Sequence, residues 1–180
     1  MKKSLLVTTL TAVSALALAG CAKTISYEEA KKHCDENYTS NEVRVMNAHT
    51  KDDVKKAEGV AATLYKVGVT ETDKEVRGYA LSSSDLALWG GDQSTYELNG
   101  KALTIKWNMA VKDFLKEFEI EVDEDDKVEG SVYTEFKVDE AGFPVSSFSK
   151  IDISFEVNSS FGLSVSGALT GEQTVTYSAK

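Results

Sequence analysis

Cys21 stands in the sequence context that most invites chemistry. It follows Leu18-Ala19-Gly20, one apolar residue and then two small ones. Small side chains let a peptidase reach the backbone at Gly20–Cys21, and a thiol there is a nucleophile able to take up an alkyl or acyl group. The other chemically able residues do not gather. His33 and His49 are too few and too far apart for a histidine zinc site of ordinary spacing. His33 adjoins Cys34, but neighbours on a helix point about 100° apart, so they do not make a nucleophile and its base. Asp123-Glu124-Asp125-Asp126 invites calcium, yet an EF-hand loop needs Gly at its sixth position and Glu at its twelfth. Counted from Asp123 those positions hold Val128 and Thr134, so the run reads as a solvated turn. Gly90-Gly91-Asp92 lacks the Lys-Ser/Thr of a phosphate loop, and Ser82-Ser83-Ser84-Asp85 lacks the glycines of a nucleophile elbow. No catalytic residue, metal ligand or resident cofactor is expected, and the chain reads as non-enzymatic. Trp107, Phe114 and Phe136 remain. They are either ordinary core or the wall of a cavity for an apolar ligand, because ligand sites are concave and mostly apolar.

The elements that must position these residues begin after an export-type leader. Lys2 and Lys3 precede an apolar stretch, Leu5 to Ala19. It is shorter than the roughly 20 residues of a membrane span and stops at small residues, the pattern of a removable signal. Residues 1–20 are therefore set aside as a signal peptide. Residues 21–25 read as a short tether, and 26–180 as a single domain long enough to bury about 70% of its unfolded surface. Ser26-Tyr27-Glu28-Glu29 is a capping box that opens a helix running to about Tyr38. Tyr27, Ala30, Cys34 and Tyr38 form its apolar stripe, which puts Cys34 inside. Glu42 to His49 reads as a strand, and Thr50 opens a second helix that Gly59 ends. Val60–Thr70 and Val76–Trp89 read as strands around a turn at Thr72–Glu75. Asn99-Gly100 is a hairpin turn between Tyr96–Leu98 and Leu103–Trp107. Asn108 caps a third helix from Met109 to about Phe118, with Val111, Phe114 and Leu115 on its apolar face. From Gly130 onward alternation is strong: a strand through Val138, a turn at Asp139–Gly142, and a strand from Val145 to Val157 with a bulge near Ser149. A turn at Asn158–Gly162, a strand Leu163–Leu169, a turn at Gly171 and a closing strand Thr174–Tyr177 complete the chain. The expected fold is α+β: a curved antiparallel sheet, half-barrel-like, with two or three helices on one face.

The net charge of −9 excludes the basic footprint of a nucleic-acid binder. It equally gives no polybasic supplement to membrane binding. If Cys21 is alkylated, Cys34 is left without a disulfide partner and is expected to be buried.

Leu18-Ala19-Gly20-Cys21 resembles the lipobox of bacterial lipoproteins. The resemblance implies cleavage between Gly20 and Cys21 and a covalent diacylglyceryl group on the Cys21 thiol, with fatty acids such as palmitate as its anchor. It implies a place on the extracytoplasmic face of the cell membrane, or at the outer membrane in a cell with two. Two acyl chains suffice for stable anchoring at about 0.8 kcal/mol per buried CH₂. The chain as a whole is similar to small uncharacterised lipoproteins of low-GC Gram-positive bacteria and mollicutes. Phe136-Lys-Val-Asp-Glu-Ala-Gly-Phe-Pro-Val145 and the closing Thr174-Val-Thr-Tyr177 are similar to half-barrel lipoproteins of the LolA–LppX type. That resemblance implies a lipid or other apolar ligand in the concave face of the sheet, and no catalytic residue. A monomer is expected, with the membrane as partner through the anchor. The alternative is a structural or adhesive surface lipoprotein whose core is filled and holds no small ligand.

Overall fold

The structure, a computed structural model, describes residues 22–116, 118–158 and 164–180. The leader, the Gly20–Cys21 bond and most of the expected turn at Asn158–Gly162, with Leu163, lie outside these residues. The described chain forms β1 (Lys23–Ile25), α1 (Tyr27–Asn37), β2 (Val43–Gly59), α2 (Ala61–Leu64), β3 (Gly68–Tyr79), β4 (Thr95–Asn99), β5 (Ala102–Met109), α3 (Val111–Lys116), β6 (Lys127–Val138), β7 (Pro144–Asn158) and β8 (Ser164–Ala179). Short 3₁₀ turns cover Asp85–Trp89 and Gly91–Gln93. The strands make one antiparallel sheet in the order β1-β4-β5-β6-β7-β8-β2-β3, curved and not closed into a barrel. The α+β curved sheet expected from the sequence is therefore the fold.

One face of the sheet carries the core. Register places Ile25, Tyr96, Ile105 and Phe136 side by side across four strands, and α1 packs Ala30, Cys34 and Tyr38 against them. On the same face, Val132 further along β6, Ile153 and Phe155 of β7 and Leu169 of β8 pack against Val111 and Leu115 of α3 and Ala61 of α2. The outer face is polar, crossed by pairs such as Lys106–Glu97 at 2.7 Å. The capping box forms as expected. Ser26 Oγ accepts from the Glu29 N–H at 3.2 Å, and Glu29 Oε2 accepts from the Ser26 N–H at 2.8 Å.

Several expected elements are corrected. Thr50–Gly59 is strand, because β2 pairs with both β3 and β8 as far as Val54 and with β8 from Lys56 to Gly59. Tertiary pairing overrides the cap and the helix formers of this segment. The expected turn at Thr72–Glu75 lies inside the continuous strand β3, whereas Ala61–Leu64, expected as strand, is a helical turn. The strand expected from Val76 ends at Tyr79, where Asp85 takes over. Its carboxylate accepts from the Ser82 N–H at 2.9 Å and Ser82 Oγ at 2.7 Å, folding the serine run into a turn. Asn108 does not cap α3, because β5 continues to Met109, paired with Val132. The bulge in β7 is at Val145, where Lys137 pairs with Ser146 and Val138 with Pro144, not near Ser149. Gly171 does not turn either. It faces Val54 beside the bulge in β2, where an added Cβ would lie 2.8 Å from the Asp53 carbonyl oxygen, and β8 runs straight through. Residues 23–25, expected as tether, pair with Tyr96–Leu98 as an edge strand.

Candidate functional site

The two apolar clusters of the inner face are parted by a polar row. Register aligns Trp107 of β5, Thr134 of β6, Ser149 of β7, Gln173 of β8 and Asp52 of β2 as consecutive cross-strand neighbours. Side chains of alternate residues share a face, so all five point to the side that carries the helices. Thr134 Oγ1 and Ser149 Oγ are 3.2 Å apart, and Gln173 Nε2 donates to Asp52 Oδ1 at 2.8 Å.

An open cleft lies over this row. It comprises two cavities of about 220 and 370 Å³, both floored by Thr134, Ser149 and Gln173 and both touching Met109. The larger reaches the size range of ligand pockets, about 300–1,000 Å³. Tyr65, Phe114 and Val132 wall one side, while Leu88, Trp89 and Trp107 wall the other. The wall on the Phe114 side is set by α3, whose buried Val111 and Leu115 fix the helix while Phe114 turns toward the cleft. Burial, and next the Asp52 carboxylate, push the Tyr65 hydroxyl above its ordinary range, so it stays protonated and able to donate.

The opposite wall is set by the 3₁₀ turns. Gly90 follows Trp89 at φ +86°, and a Cβ on it would lie 2.5 Å from Trp107 Cδ1 and Nε1. A residue without a side chain is required for the turn to lie on the indole. Trp107 Nε1 is buried beneath this turn without a hydrogen-bond partner, an arrangement that costs about 1–3 kcal/mol of desolvation. Trp89 stacks on Phe136, centroids 4.4 Å apart and planes 9° from parallel.

Of the three residues singled out by sequence, Trp107 and Phe114 line the cleft from opposite sides. Phe136 is only 7% exposed and sits in the core behind Trp89. The polar floor was missed. Its signal is the Ser146-Ser-Phe-Ser149 stretch, where Ser147 and Ser149 occupy inward positions of an otherwise apolar strand face.

The remaining candidates play structural parts. His33 Nε2 lies 3.0 Å from the Lys101 carbonyl oxygen, and Asn37 holds the other ring nitrogen at 3.2 Å. Cys34 is 1% exposed, and burial, with lesser help from Asp35 and Asp85, pushes its thiol up to about 12. It is protonated and inert at neutral pH. Asp126 accepts from the backbone N–H groups of Asn158 at 2.8 Å and Asp123 at 2.7 Å, which hold its carboxylate below the usual range and tie the acidic loop to the end of β7. Among the described residues, no helix is long and apolar enough to cross a membrane. The cleft offers apolar walls over a hydrogen-bonding floor. No protein-family model, curated protein or solved structure matches this chain.

Proposed function

We propose that this protein is a membrane-anchored, non-enzymatic surface lipoprotein that holds a lipid or other apolar ligand in the cleft of its concave face. The observation that carries the reading is the cleft itself. Two apolar clusters on one sheet face would bury most area by meeting, yet they stand apart over a polar row and leave apolar side chains such as Met109 and Phe114 facing open space. Exposed apolar surface in a concave site is the usual mark of ligand binding. The lipobox at Leu18–Cys21 supports the anchor. Native mass spectrometry of the full chain, extracted gently from membranes, tests the reading. A lipid-sized adduct beyond the covalent anchor supports it. A bare lipoprotein mass supports the alternative of a filled structural or adhesive domain.

A further inference from the structure

The lining of the cleft is uneven in charge. Among the described residues no lysine, arginine or histidine lines either cavity, and the carboxylate at its floor is that of Asp52; Glu172, the neighbour of Gln173 in β8, directs its side chain to the other face of the sheet. An anionic headgroup would give up its water there with no cation to receive it and with a carboxylate opposing it. What the floor offers is hydrogen bonding. The Thr134 and Ser149 hydroxyls both donate and accept, and Gln173 spends one N–H on Asp52, which leaves its carbonyl oxygen and second N–H for a ligand. The apolar wall continues from this row in one direction. Tyr65, Phe114 and Leu169 line both the cleft and an apolar recess between α2 and α3, beside which Leu64 is 64% exposed.

Granted the ligand site proposed above, we infer that its ligand is a neutral amphiphile with a hydroxyl-rich head, of the glycosyl diacylglycerol class. The head lies over Thr134, Ser149 and Gln173, and an acyl chain runs past Phe114 and along the surface of the shallow α2–α3 recess, which at about 40 Å³ seats only part of it. An anionic phospholipid is rejected by the absence of a cation and by Asp52.

Both tryptophans of the chain line the cleft, so bromine on an acyl chain reports binding by quenching their emission. The full chain in detergent micelles is titrated with monoglucosyl diacylglycerol, diacylglycerol and phosphatidylglycerol, all carrying the same dibrominated chains. Phosphatidylglycerol offers hydroxyls as well, but with a negative charge. Saturable quenching by the glucosyl lipid is expected, with half-saturation about tenfold lower than for phosphatidylglycerol. Asp52→Asn narrows that gap, and Ser149→Phe, which fills the floor, removes saturable quenching by every lipid. Phosphatidylglycerol binding as tightly as the glucosyl lipid overturns this inference and leaves the cleft a lipid site. Diacylglycerol binding as tightly overturns the assignment of the polar row to head hydroxyls. No saturable quenching by any of the three overturns the ligand site as well.

Discussion

Gly90 holds Trp107 in place, and the consequence is measurable. At φ +86° with the indole directly above it, Gly90→Ala meets both backbone strain and a clash. A loss of about 2 kcal/mol is expected, read as a lower midpoint in denaturant titration, together with a change in tryptophan emission as the wall shifts. Cys34 gives a second test. In the Cys21→Ser chain, where Cys34 is the one remaining thiol, folded protein resists alkylation at pH 8 while denatured protein reacts at once; rapid labelling of the folded variant would contradict the burial of α1 on the sheet. The same thiol sets a pH dependence. Its value is raised from 9.0 to about 12 by burial, so the stability it contributes is complete below pH 9.0 and falls as pH rises toward 12. Tyr96, raised from 10.0 to about 12 by burial, adds to the same alkaline loss. Thermal midpoints should stay level through neutral pH as far as these groups are concerned and fall above about pH 9.

At the level of elements, the ends of α1 and α3 carry the clearest expectations. Ser26→Ala removes the side-chain cap and one partner of the box, at a cost of about 1 kcal/mol in a melting experiment. The end of α3 offers the opposite sign. Glu119 adopts φ 60° where the Glu119 N–H reaches the Lys116 carbonyl at 2.9 Å and the Ile120 N–H reaches that of Leu115 at 3.1 Å. This is the termination that glycine favours, so Glu119→Gly stabilises by up to about 1 kcal/mol. Elements with a local cause were legible in the sequence: α1 from its capping box, the Asn99-Gly100 hairpin from its turn, and β6 and β7 from clean alternation. Elements with a distant cause were not. The segment around Lys51-Asp52-Asp53 favours helix locally and is strand because β8, more than a hundred residues later, pairs along it, Asp52 with Gln173. The floor of the cleft shares that origin: Asp52, Thr134, Ser149 and Gln173 become neighbours only through strand order. Trp107 and Phe114 could be picked out by type alone, whereas Phe136, of the same type, went to the core because Trp89 folds over it.

Across the whole molecule, the strands separate two ends. Ala22 enters β1 beside Asn99, at the end where Asn99–Gly100 and Asp139–Gly142 turn, and α2 and α3 lie at the other. At about 3.3 Å per residue, Gln173 lies roughly 20 Å along β8 from Ala179 at the tethered end, so the proposed anchor and cleft do not compete for space. Cys21→Ser should abolish labelling of the chain by radioactive palmitate and stall processing; undiminished labelling would remove the anchor from the account. The central claim is that the cleft between the two apolar clusters holds a ligand, and native mass spectra of the full chain and of its Ser149→Phe variant, extracted side by side, test it most directly. The account predicts one non-covalent lipid adduct on the parent chain and none on the variant. Bare mass in both, or the same adduct in both, would contradict it.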